Sequence, residues 1–183
     1  MLSFFETRNA DNTPFEWYQR YENIKHLLKP EILSSTSTFP SNSETRVLCI
    51  GCGNSTLGEE MLQDNYGIIW NIDFSTAVIS QMKDKHKNNP KLKYIVADVT
   101  KKIPFEDNTF DLIICKATMD AILTSSSPIG NVKKMMEECY RVLDVSRSGG
   151  MMVVISNSTP ENRMVYFGKW FYDSCLNISN YFA

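Results

Sequence analysis

Two glycines and a set of acids, each placed just after an apolar run, are the residues of this sequence whose types and spacing can do chemistry. Gly51-Cys52-Gly53-Asn54-Ser55 follows the run Val47 to Ile50. The glycine pair lets the backbone turn tightly and approach a ligand, and a helix starting behind it offers its N–H groups. Asp73 ends a second run, 20 residues beyond Gly53, the spacing at which a carboxylate takes both hydroxyls of a ribose. Asp98 and Val99 follow a third run and Lys116 a fourth. Asp120 comes next, where an acid can orient an incoming amine or simply cap the turn that follows.

The glycines also bear on which ligand fits. A dinucleotide pyrophosphate calls for G-x-G-x-x-G, but the third glycine is absent here and Gly58 arrives late. A nucleoside ligand without phosphates suits the pattern better. S-adenosyl-L-methionine is such a molecule, leaving S-adenosyl-L-homocysteine as its product. Its ribose would meet Asp73, its adenine would lie near Asp98 and Val99, and its amino-acid end would sit by the glycine turn.

The elements that must hold these residues are legible as periodicity. Thr13, Pro14 and Glu16 spell a helix start, with a capping hydroxyl, a proline where its missing N–H does no harm, and a carboxylate three residues on. Tyr18, Tyr21, Ile24 and Leu28 then recur at helical spacing up to Pro30. Residues 31 to 45 are rich in Ser and Thr and read as a surface connection. From there strands and helices alternate. Strands are expected at Val47 to Ile50, Ile68 to Asp73, Leu92 to Ala97, Phe110 to Cys115 and Met151 to Ile155. Helices are expected over 55 to 65, after a Ser75 cap with Ala77, Val78 and Met82 on one face, and through Val132, Met135, Met136, Cys139, Val142 and Leu143. This alternation predicts an α/β fold, a doubly wound, Rossmann-like, mostly parallel sheet with helices on both faces. In such sheets ligands bind outside the carboxyl ends of the strands, where the residues above all fall. The organisation expected is a single domain over 1–183, with an N-terminal helix and connection (1–45), a cofactor-binding core (46–160) and a short C-terminal segment (161–183).

Composition narrows the function classes. The chain of 183 residues is 43% hydrophobic and 22% charged, which describes an ordinary globular domain able to build its own core. A formal net charge of -2 gives no bulk attraction to nucleic acid or to an anionic membrane, so neither is expected as a partner. The run Lys83, Lys85, Lys87, Lys91 and Lys93 reads as a solvated face. Cys49, Cys52, Cys115, Cys139 and Cys175 are odd in number and mostly embedded in apolar sequence, which suits a reducing compartment. Cys49 and Cys52 lack a second pair, so no metal site is expected. The N-terminus has no secretory pattern and no stretch approaches about 20 apolar residues. The expectation is a cytoplasmic protein.

Several segments resemble a known group. FEWY at 15–18, VLCIGCGNS at 47–55, NIDFS at 71–75, PFEDNTFD at 104–111 and KATMDAIL at 116–123 are similar to the seven-β-strand (class I) methyltransferase-like family that includes lysine methyltransferases acting on translation elongation factor one-alpha. RVL at 141–143 and GG at 149–150 fit as well. The resemblance implies an S-adenosylmethionine-dependent protein-lysine methyltransferase with a protein substrate of the elongation factor one-alpha kind. It also implies that Trp17, Gly51, Asp73, Phe74, Asp98, Val99 and Lys116 line the cofactor site. Members carry a tryptophan–tyrosine pair near the N-terminus, where this chain has Phe4 and Phe5. They finish with a further helix and two strands, whereas residues 161–183 supply a helix and little more, so an incomplete C-terminal antiparallel edge is expected. A small-molecule methyltransferase, a catalytically silent binding module and an NAD-type oxidoreductase share many of the same residues and stay open at this point.

Overall fold

Val47–Ile50 is buried on both faces and forms β1, the middle strand of a five-stranded sheet in the computed structural model, which describes residues 13–28, 42–145 and 150–167. The other strands are β2 (Ile69–Asp73), β3 (Leu92–Val96), β4 (Leu112–Lys116) and β5 (Met151–Ile155). Their order is β3-β2-β1-β4-β5, and every neighbouring pair is parallel. The expected doubly wound, Rossmann-like sheet is what the chain forms. Strand order reverses between β1 and β4, and that reversal opens a crevice at the strands' carboxyl ends.

The alternation of side chains along β1 feeds two cores. Val47 and Cys49 face one side, packed with α1 (Tyr21–Ile24), α2 (Leu57–Gln63) and α3 (Thr76–Lys85). Leu48 and Ile50 face the other, against α4 (Thr118–Leu123) and α5 (Pro128–Val142). The stripe Val132, Met135, Met136, Cys139 and Val142 supplies the buried face of α5 as its spacing predicts. A short α6 (Pro160–Met164) follows β5.

Ser75 caps α3 as expected, its hydroxyl accepting the Val78 N–H, but the buried face is Val78, Ile79 and Met82, and Ala77 points outward. The fourth strand begins two residues later than expected and takes in Lys116, while Phe110 makes an isolated bridge to Leu143. Thr56 stands where a dinucleotide fingerprint has its third glycine. The close packing of helix on sheet is delivered instead by Gly58, where an added Cβ would lie 3.2 Å from Asn71 Oδ1 and 3.3 Å from Leu92 Cδ2.

The larger departure is at the N-terminus. Residues 13–20 are not helical, and α1 starts only at Tyr21, passing into a tighter turn over Lys25–Leu28. Glu16 does not close a capping box on Thr13, because its carboxylate is taken by partners far along the chain. Nor is this segment set apart from the core. Tyr21, Ile24 and Leu28 are buried in it, Tyr21 donates to Asp64 Oδ2 at 2.8 Å, and Tyr66 donates to the Leu28 carbonyl at 2.9 Å. Burial of Ile24 and Leu28 stabilises by about 1.5–3 kcal/mol each. Of the Ser/Thr-rich connection, Thr45 is fully buried. Most of that connection, Phe4 and Phe5, and the residues after 167, where the C-terminal antiparallel edge is expected to be incomplete, lie outside the described residues.

Candidate functional site

The strand ends place the sequence-selected residues along one edge of the sheet. Asp73 closes β2, and its carbonyl accepts the Ala97 N–H at 2.9 Å, which brings Asp98 alongside, one strand over. The glycine turn leaves β1 next to β2, with the Cys52 N–H donating to the Ile72 carbonyl at 3.0 Å. Asp73, Asp98, Gly51 and Gly53 therefore share the carboxyl-end crevice.

Gly51 has φ +60° and a Cβ there would fall 2.2 Å from Thr118 Oγ1, so both conformation and space demand glycine. Thr118 in turn donates to the Ile50 carbonyl at 2.8 Å. Gly53, at φ +52°, has open space where its Cβ would be. Its N–H donates to Asp73 Oδ2 at 2.9 Å, while Asp73 Oδ1 accepts the Ser75 N–H at 2.9 Å. Burial raises the Asp73 carboxyl above the ordinary aspartate range, against the amide hydrogen bonds from Ser75, Gly53 and Phe74. A carboxylate oriented by backbone amides at a strand end keeps acceptor capacity for a ribose hydroxyl. Phe74 beside it leaves 54% of its surface exposed, an apolar ring at the rim of the crevice.

Asp98 Oδ1 accepts both the N–H and the hydroxyl of Thr100, at 2.9 and 2.7 Å, and Lys101 lies 3.3 Å from Oδ2. Partial burial pushes its carboxyl up, but these partners together hold it below the usual range. Val99 is buried and packs into the core with Ile72 and Ile103. The Cys52 thiol is pushed well up by burial and by Asp73, so it is no thiolate nucleophile at neutral pH.

The remaining selected residues hold the N-terminal segment. The Asn54 side chain accepts the Phe15 N–H at 3.2 Å and donates to the Thr13 carbonyl at 2.9 Å. Lys116, with only 7% of its side chain exposed, is paired with Glu16 and lies 3.3 Å from the carbonyls of Trp17 and Gln19. Trp17 is half-buried between Phe15 and Tyr18, with edge-on ring contacts at 5.0 and 6.0 Å. Asp120 accepts the Tyr18 hydroxyl at 3.2 Å on one oxygen, and Ser156 at 2.7 Å and Arg163 at 2.6 Å on the other. Burial together with Asp120 pushes the Tyr18 hydroxyl up to about 12.

Glu16, Tyr18 and Thr56 were missing from the sequence-selected set, and Ser55 entered it only as part of the glycine turn. Ser55 donates to Glu16 at 2.7 Å, and the Thr56 N–H and hydroxyl donate to it at 2.6 and 3.1 Å. Despite the opposing push of burial, Lys116, Ser55 and Thr56 hold this carboxyl below the usual glutamate range. Its partners lie 39 to 100 residues away, and the only sequence signal was its place in FEWY, which a local capping reading absorbed. The consequence is chemical. Glu16 sets an internal negative charge at the start of α2, where a Rossmann-type dinucleotide places its pyrophosphate. A ligand phosphate placed there would meet that charge, so these residues suit a nucleoside ligand without one.

The comparisons with known proteins agree on the class. The family described as Methyltransferase domain matches residues 48–154, so the chain belongs to it. Among relatives, EEF1A lysine methyltransferase 4 of Mus musculus is 27% identical over 180 residues, covering 94% of this chain and 66% of the relative. The eEF1A lysine and N-terminal methyltransferase of Mus musculus is 36% identical over 156 residues, covering 84% of this chain and 20% of the relative. The chain thus spans about two thirds of the first and one fifth of the second. Solved structures share the fold. PH0226 protein from Pyrococcus horikoshii OT3 superposes with TM-score 0.53 at 23% identity, over 69% of this chain and 53% of that one. An S-adenosylmethionine dependent methyltransferase from Mesorhizobium loti does so with TM-score 0.51 at 16% identity, over 63% and 48%.

Proposed function

We propose that this chain transfers methyl groups from S-adenosyl-L-methionine to a lysine of a protein substrate, with translation elongation factor one-alpha as the leading candidate. The single observation that carries the cofactor assignment is Asp73, held at the end of β2 by the Gly53 amide at 2.9 Å beside a glycine turn whose anion position is filled from within by Glu16. The relatives named for lysine methylation of eEF1A support the substrate class. Asp73 would hold the ribose, Asp98 and the exposed Phe74 ring would flank the adenine, and the Gly51–Gly53 backbone would approach the amino-acid end. The cofactor, when bound, supplies an electrophilic methyl group on a cationic sulfonium.

What falls to the protein is positioning, exclusion of water and handling of the acceptor's proton. Deprotonating a lysine amine from its reference pKa at pH 7 costs about 4.6 kcal/mol, and burial beside a cation lowers that cost. Asp120, in the first turn of α4 just after the crevice end of β4, is the candidate to orient the amine. It is already engaged by Tyr18, Ser156 and Arg163, so an acceptor must share or displace one of them. A cytoplasmic location belongs to the same proposal, and Cys49, Cys52, Cys115 and Cys139 are free thiols, as a reducing compartment keeps them.

The test is methyl transfer from radiolabelled S-adenosylmethionine into a cell lysate. A labelled protein band that disappears with Asp73→Ala supports the proposal. Label confined to small metabolites contradicts the protein substrate.

A further inference from the structure

Residues 13–20 cross the carboxyl ends of β1 and β4 as a non-helical strap that bends at Trp17 and Tyr18, and its side-chain ties to the body of the protein are non-local. At one end Asn54 holds the backbone of Thr13 and Phe15. In the middle Glu16 is gripped by Ser55, Thr56 and Lys116, and the Lys116 ammonium reaches on to the carbonyls of Trp17 and Gln19. At the far end Tyr18, held at φ 61°, donates to Asp120. These ties run to the glycine turn and the start of α2, to the end of β4 and to α4, the elements that border the crevice.

We infer that Glu16 is a positioning residue: it latches this strap, and Trp17 with it, across the mouth of the crevice, so that a bound cofactor leaves only when the Glu16–Lys116 latch opens. The inference rests on reading the crevice as the cofactor site. Glu16 is itself committed to five donor contacts from Ser55, Thr56 and Lys116, so it acts on the cofactor through the strap. Lys116 serves as the far side of the latch. A latch of this kind acts on dissociation more than on association, because the open strap admits ligand while the closed strap retains it.

The experiment measures dissociation of S-adenosylhomocysteine by stopped-flow displacement from wild type, Glu16→Gln, Lys116→Gln, the double variant and Tyr18→Phe. Glu16→Gln keeps the side-chain shape and removes the charge. Dissociation should quicken at least 10-fold, with association changed less than threefold, and the double variant should be no faster than the faster single one. Tyr18→Phe, which removes one tie without touching the ion pair, should quicken it in the same direction by a smaller factor. Unchanged dissociation in Glu16→Gln and Tyr18→Phe, or rate effects that multiply in the double variant, would overturn the latch. Amide hydrogen exchange on the ligand-free protein separates the two readings. Opening of the latch should speed exchange at Phe15 and Thr56 in Glu16→Gln, while the amides of β1 stay protected. If wild type fails to bind S-adenosylhomocysteine, the cofactor reading fails, and exchange alone then decides whether the strap is latched. Equal exchange in wild type and variant would end the inference.

Discussion

Gly51 and Gly53 stand two positions apart in the motif and much further apart in cost of replacement. Both adopt positive φ, but a Cβ at Gly51 collides with Thr118 whereas one at Gly53 meets nothing within 4 Å. Gly53→Ala should therefore cost roughly 1–2 kcal/mol, the left-handed penalty alone. Gly51→Ala adds steric overlap with Thr118 on the strand-four side and should cost about 3 kcal/mol or more, or displace α4. Urea unfolding of the two variants reads the contrast, and equal midpoints would show that Thr118 yields freely. Two glycines after a strand were plain in the sequence, but which of them is sterically locked was not, because Thr118 lies 67 residues away.

At the scale of elements, what was legible was whatever a single segment determines. The strands announced themselves because both faces of a central parallel strand are buried, as at β1, and Ser75 marked the start of α3 by its capping hydroxyl. What misled was Thr13-Pro14-Phe15-Glu16, a good local start signal outbid by the non-local donors of Ser55, Thr56 and Lys116. Opposite the crevice, at the amino ends of β1 and β4, a tie of the same non-local kind was not read at all. Arg46 bonds both oxygens of Asp111 at 2.7 to 2.9 Å and reaches Asp144 at 2.8 Å, joining the starts of β1 and β4 to the segment after α5. Arg46→Met removes one counter-charge shared by two nearly buried carboxylates. Because Arg46 is itself about one third exposed, the cost should be about 2 kcal/mol, less than for a fully buried pair. It should appear as a lower urea midpoint with an unchanged slope and with ligand affinity unchanged once folded. A fall in affinity without a fall in midpoint would mean that this end of the sheet is coupled to the crevice.

For the whole molecule, the order β3-β2-β1-β4-β5 gathers chemistry on one edge and stabilising charge on the other. Position in the fold thus sorts the acids: Asp73 and Asp98 stand at the carboxyl ends, Asp111 and Asp144 at the opposite end. The place of Asp73 at a strand end was legible because it needs only the boundary of one apolar run. The strap was not, because it exists only when residues 13–20 meet residues 54–56 and 116–120 in three dimensions. The central claim, a crevice for an adenosyl cofactor without phosphates, is tested most directly by titration calorimetry of the whole chain. S-adenosylhomocysteine should bind with saturable one-to-one heat, Asp73→Ala should weaken it at least 10-fold through loss of the charge-assisted hydrogen bonds, and NAD should give no heat. Saturable heat with NAD alone, or equal affinity in wild type and Asp73→Ala, would contradict the account.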